Sequence, residues 1–167
     1  MSELLEALPD DIEDAAKVLL ERACEADLSI VTAESCTGGL LASLLTDVEG
    51  ASGAFERGYV VYSEPAKCEL LGLAQQQIDK CGAVSRDVAI AMAEGALIRS
   101  RADVAIAITG FAGPAGPDDE PGLVHFGCIR RDRKAAHREE HFGEIGRGGV
   151  RIASLRVALE MLSEQID

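Results

Sequence analysis

Apolar residues along this chain recur with two different periods, and their alternation predicts a domain of helices laid on a sheet. From the N-terminal side, Ile12, Ala16, Leu19 and Ala23 fall on one face at helical spacing. Pro9-Asp10-Asp11-Ile12-Glu13 reads as the start of that helix, with an Asp cap and a Glu three residues later. Residues 28–33 are apolar and β-branched, as a strand requires, and a helix follows Gly39 to about Thr46, closed by the loop Glu49-Gly50-Ala51-Ser52-Gly53. Gly58-Tyr59-Val60-Val61-Tyr62 is the next strand. Ser63-Glu64-Pro65-Ala66 then forms a turn that caps a helix with Pro in its first turn, which places Lys67 in that turn as well.

Residues 74–80 predict a short helix, and Ser85 caps a longer one over 86–100. Val88, Ile90, Met92, Ala93, Ala96, Leu97 and Ile98 make that helix apolar almost all round, so it is expected to be buried. Val104-Ala105-Ile106-Ala107-Ile108 is a continuous apolar run, the mark of a central strand covered on both faces. It opens into Thr109-Gly110-Phe111-Ala112-Gly113-Pro114-Ala115-Gly116-Pro117, a glycine-rich loop at a strand end, where open α/β sheets bind ligands. Residues 123–130 and 135–142 predict an antiparallel hairpin turned by Arg131-Asp132-Arg133-Lys134. Over 150–165, Ile152, Leu155, Leu159 and Leu162 give an amphipathic helix, and the acidic stretch Pro117-Asp118-Asp119-Glu120-Pro121 is expected to be exposed.

The chain shows no internal repeat and no linker, and 167 residues suit one domain over 1–167 with a full core. Hydrophobic residues make up 47%, aromatics only 4%, and there is no Trp, so the core is to be built from Ala, Val, Ile and Leu. A net charge of −13 opposes any broad nucleic-acid footprint, which needs clustered Lys and Arg. Cys24, Cys36, Cys68, Cys81 and Cys128 are odd in number and far apart, with no C-x-x-C pair and no zinc spacing, so they read as reduced thiols with no metal or cofactor site. Met1-Ser2-Glu3-Leu4-Leu5-Glu6 carries acids where a signal peptide carries bases, and no apolar run approaches the roughly 20 residues of a membrane span. A cytoplasmic protein that binds neither membrane nor nucleic acid is expected.

Candidate chemistry concentrates in Ile30-Val31-Thr32-Ala33-Glu34-Ser35-Cys36-Thr37-Gly38-Gly39-Leu40-Leu41, which reads as strand, sharp turn and helix. Amides at a helix N-terminus favour a phosphate, an oxyanion or an activated nucleophile. Ser35 is the candidate nucleophile, Cys36 is its rival, and the plain alternative is a helix cap. A serine needs a base. His125, His137 and His141 lie on the expected hairpin, away from the glycine-rich turns, whereas Lys67, near a helix start and beside apolar surface, is able to lose its proton near neutral pH.

These stretches, with Phe55-Glu56-Arg57-Gly58-Tyr59-Val60-Val61-Tyr62-Ser63, Ala66-Lys67, Gly82-Ala83-Val84-Ser85 and Thr109-Gly110-Phe111-Ala112-Gly113-Pro114, resemble the C-terminal domain family of the competence/damage-inducible protein CinA. Stand-alone members of that family are nicotinamide-nucleotide amidases. The resemblance runs over roughly residues 10–165 and implies a three-layer α/β/α fold on a mixed sheet of about five strands. It implies hydrolysis of the carboxamide of nicotinamide mononucleotide to nicotinate mononucleotide and ammonia, without a cofactor. By position, Ser35 matches the nucleophile, Lys67 the general base and Tyr62 a third hydroxyl of the catalytic group. Thr37, Gly38, Gly39, Thr109, Gly110 and Gly113 become candidate substrate-binding residues, with Arg147 and Arg151 as the phosphate-reading pair. Larger members carry a molybdopterin-binding-like domain ahead of this one, which this chain is not expected to contain.

Three departures bear on that reading. Glu64, followed by Pro65, stands where members often have Asn, the loop after Gly113-Pro114 is acidic where members have more glycine, and Gly146-Arg147 replaces Gly-Asp-Arg with the Asp missing. The rival expectations are a nucleotide-binding or regulatory protein with impaired turnover, or an amidase for another small amide. The leucine-rich C-terminal helix further suggests self-association as a dimer or higher oligomer.

Overall fold

The computed structural model describes residues 8–51 and 53–167. The expectation drawn from residues 1–6 lies outside them, as does Ser52. The elements are α1 (Asp10–Glu25), β1 (Ile30–Glu34), α2 (Leu40–Thr46), β2 (Phe55–Val60), α3 (Glu64–Leu71), α4 (Gln75–Cys81), α5 (Arg86–Ile98), β3 (Val104–Gly110), β4 (Leu123–Arg130), β5 (Ala136–His141) and α6 (Gly146–Ile166). One five-stranded mixed sheet runs in the order β2-β1-β3-β4-β5, parallel between β1 and its two neighbours and antiparallel through β4 and β5. Helices cover both faces, so the three-layer α/β/α expectation holds.

The apolar run of β3 explains the layering. Val104, Ile106 and Ile108 enter one core with Ile12, Leu19, Leu41, Phe126, Leu155 and Leu162, under α1, α2 and α6. Ala105 and Ala107 face the other way, into a second core with Val31, Ala33, Leu71, Ile78 and Met92 under α3, α4 and α5. Both faces being dry, neither can be polar. The α5 side uses small residues, and α5 sits so close that a Cβ on Gly127 would come within 2.5 Å of the Ala89 carbonyl oxygen.

Sheet order creates the crevice. The chain leaves β1 for one neighbour through α2 and reaches the other through α3, α4 and α5 on the opposite face, so the connections diverge at the C-terminal end of β1. The register there is level: Glu34 pairs with Val60 on one side and Ile108 on the other, which brings Ser35, Val61 and Thr109 abreast.

Several local expectations shift. Pro9, with extended backbone, occupies the N-cap of α1, while Asp10, Asp11 and Glu13 lie in the first turn, where they complement the helix dipole without a side-chain cap. Strand β2 starts at Phe55 and stops at Val60, because the Val61 and Tyr62 carbonyls turn to meet Lys67. Helix α6 begins four residues early, at Gly146, whose φ of +82° favours glycine. Ile98, expected inside, is 75% exposed at the end of α5. The leucines of α6 are covered by α1 and the sheet, so that helix offers no apolar stripe to a partner. No described helix is long and apolar enough to cross a membrane.

Candidate active site

Ser63 accepts the Ala66 amide and caps α3, with Pro65 in the first turn, and this start aims Lys67 back toward the sheet. Lys67 is only 2% exposed, and its Nζ lies 3.0 Å from Ser35 Oγ, 2.9 Å from the Val61 carbonyl oxygen and 3.3 Å from that of Tyr62. Three oxygen partners at one nitrogen fit an ammonium that donates to all three, and they also suit the neutral amine that a base must be. A neutral amine has two N–H donors, which the two carbonyls accept, and one lone pair, which then faces the Ser35 hydroxyl. Burial lowers the Lys67 pKa from its ordinary value, opposed by the negative charge of the Glu64 carboxylate. Cys36 itself is buried, desolvation pushes its thiol up to about 12, and the side chain that meets Lys67 is that of Ser35.

Behind Ser35 the chain makes a tight reversal through Gly38 and Gly39, at φ +63° and +94°, where other residues are strained. Glu34, fully buried, fills the inside of this turn: its carboxylate accepts the Thr37 hydroxyl at 2.7 Å and the amides of Leu41 at 2.9 Å and Ala42 at 3.0 Å. The first-turn amides of α2 that the sequence reading offered to a substrate anion are therefore occupied from within, and so is the Thr37 side chain. The Ser35 amide is bound to Ile108 and that of Gly38 to Ser35. Among the described residues, the amides of Cys36, Thr37 and Gly39 have no backbone hydrogen-bond partner.

The expected third hydroxyl is not in this group. Tyr62 is 76% exposed and meets Lys67 through its backbone carbonyl. Arg151, half-buried on α6, donates from Nε to the Cys36 carbonyl at 2.9 Å and grips the turn. Arg147, one helical turn earlier and exposed, lies against Gly113, where a Cβ would collide with its guanidinium. Ala112, Gly113, Pro121, Gly122, Glu144 and Arg147 help line a pocket of about 390 Å³ that does not include Ser35. Of the other second-loop residues, Thr109 spends its hydroxyl on the Ala83 carbonyl at 2.8 Å. Gly110 is needed for strand packing, since a Cβ there would lie 2.8 Å from the Leu123 carbonyl oxygen.

The histidines pair elsewhere. His125 Nδ1 and His137 Nε2 are 2.9 Å apart, and His141 meets Glu120 and Glu139, which ties the acidic loop to the hairpin. All five cysteines are free, and among the described residues no group of three or more His, Cys, Asp or Glu side chains is arranged to hold a metal. Sequence reasoning missed Glu34 and the grip of Arg151. The signal for Glu34 was available as a lone acid ending an apolar strand, three residues before a Thr.

The CinA C-terminal domain family matches residues 12–166. This chain belongs to that family. It is 53% identical over 110 residues to a CinA-like protein of Akkermansia muciniphila, covering 65% of this chain and 27% of that protein. A CinA-like protein of Syntrophobacter fumaroxidans is 42% identical over 148 residues, covering 87% and 34%. The chain thus spans about a quarter to a third of these relatives. Among solved structures, the competence/damage inducible protein CihA from Agrobacterium tumefaciens is 43% identical over the whole of both chains with a TM-score of 0.94. A CinA superfamily protein from Escherichia coli, 38% identical, gives 0.85 over 93% of this chain and 91% of its own. The fold of this CinA-family domain is therefore that of its relatives.

Proposed function

We propose that this CinA-family domain is a serine amidase that hydrolyses the carboxamide of nicotinamide mononucleotide to nicotinate mononucleotide and ammonia. The observation that carries the reading is the buried Lys67 Nζ, 3.0 Å from Ser35 Oγ and held by the Val61 and Tyr62 carbonyls, a placement in which the neutral amine turns its lone pair to Ser35. Lys67 takes the Ser35 proton, the oxygen attacks the carboxamide carbon, and free turn amides hold the oxyanion. Collapse passes the proton from Lys67 to the leaving nitrogen and releases ammonia. Lys67 then deprotonates a water, which attacks the acyl-serine; the acyl–oxygen bond breaks, the proton returns from Lys67 to Ser35, and the acid is freed. The carboxamide belongs at Ser35 and the phosphate in the Arg147 pocket, whose volume suits part of a small ligand. With a net charge of −13, the protein must hold a phosphate by such short-range contacts.

The test is ammonia release from nicotinamide mononucleotide beside a panel of small amides. Release from another amide alone moves the substrate and keeps the chemistry. Binding of the nucleotide without any release selects the regulatory reading. For self-association, exposed Val60 at the end of edge strand β2 and Tyr62 just beyond it offer an apolar contact, as do Val18, Leu70, Ile98 and Ile145 elsewhere on the surface. A monomer mass by light scattering at micromolar concentration removes it.

A further inference from the structure

We propose that Glu34 is a positioning residue for the chemistry at Ser35, holding the oxyanion donors in place; this rests on the serine-amidase reading. Glu34 is the last residue of β1 and is fully buried, though among the described residues no basic side chain meets its carboxylate. Its three partners are the Thr37 hydroxyl and two helix-start amides, seven and eight residues along the chain. A charge in such a place is tolerated only where its hydrogen bonds are nearly complete. The consequence is geometric. Ser35 to Gly39 bridge two points that the carboxylate fixes, the end of β1 and the first turn of α2, and the Arg151 grip on Cys36 closes the turn from outside.

A turn pinned at both ends presents the Cys36, Thr37 and Gly39 amides in one arrangement, with the Leu40, Leu41 and Ala42 amides of α2 already bonded within the chain. Displacement of donors or nucleophile by about 1 Å is enough to cost roughly a hundredfold in rate. Glu34 therefore acts on the rate of the chemical step. Its carboxylate bonds Thr37, Leu41 and Ala42 and makes no hydrogen bond to Lys67, so its action runs through the geometry of the turn.

The experiment is labelling of Ser35 by an alkyl fluorophosphonate, which needs the nucleophile and the oxyanion donors and no nucleotide. The Ser35 oxygen bonds to phosphorus, the P–F bond breaks, fluoride leaves, and the Ser35 proton passes to Lys67. In Glu34→Gln an amide N–H replaces one acceptor and faces a backbone N–H. Its limiting labelling rate is expected to fall roughly tenfold to a hundredfold, with the half-saturating probe concentration and the pH midpoint unchanged and circular dichroism as in the wild type. Thr37→Val, which removes one donor to Glu34, is expected to slow labelling several-fold, and it decides the matter if Glu34→Gln does not fold. A folded variant that labels at the wild-type limiting rate overturns the proposal, as does a slowdown that disappears at high pH. Absence of Ser35 labelling in the wild type overturns the serine reading itself, and this proposal with it.

Discussion

Two glycine-rich turns stand at the sheet's crevice, one after β1 and one after β3, and they use glycine for different ends. The first, from Ser35 to Gly39, is locked by Glu34 from inside and Arg151 from outside, and its glycines serve the left-handed backbone of a sharp reversal. The second, from Thr109 to Pro117, uses glycine for closeness: Gly110 lets β4 approach and Gly113 lets Arg147 lie flat, leaving a pocket beside them. The contrast separates two tasks. On the proposed amidase reading, the rigid turn holds the reacting atoms, so damage there is expected to lower kcat, and the shaped, partly open turn holds the ligand, so damage there is expected to raise KM.

The comparison breaks most sharply at Ser35. Ser35→Ala is expected to reduce kcat by roughly 10⁴-fold or more, while Cys36→Ala keeps most of the activity, since the thiol is protonated at neutral pH. The reverse pattern in steady-state assays moves the chemistry to sulfur. At Lys67, arginine and alanine substitutions are both expected to lower kcat by roughly 10²- to 10⁴-fold, because arginine cannot give up its proton. Substantial turnover in Lys67→Arg would leave the residue an electrostatic part only.

In the second turn, Arg147→Ala is expected to raise KM for nicotinamide mononucleotide roughly tenfold to a hundredfold, with kcat little changed. Hydrolysis of nicotinamide riboside, which lacks the phosphate, is expected to stay the same. Equal losses on both substrates would erase the distinction between the turns. The smallest effect belongs to Glu64, whose charge raises the Lys67 pKa against the lowering by burial. The rate falls as pH drops through that pKa, since protonation fills the lone pair. Glu64→Gln lowers the pKa further, so the acid limb of the pH–kcat profile moves to lower pH, and the shift shrinks at high salt because Glu64 is exposed.

The sequence by itself determined the elements. Ser63 and Ser85 cap the helices they were expected to cap, β3 has both faces buried, and the final helix follows its leucine spacing. Each is a local matter, set by hydrogen bonds within a few residues or by a period that tells one face from another. Lys67 and Ser35, 32 positions apart, were paired by elimination and by resemblance, while their contact depends on α3 starting level with the end of β1. Tertiary structure alone decided that Tyr62 offers its carbonyl and leaves its ring in solvent, that Glu34 takes the α2 amides, and that Arg151 reaches the nucleophile turn from 115 positions away. A pattern along the chain records whether a side chain is polar. Which of several polar groups satisfies a given buried donor or acceptor is set by strand order and helix approach, because buried hydrogen bonds are filled by whatever the packed layers bring within about 3 Å.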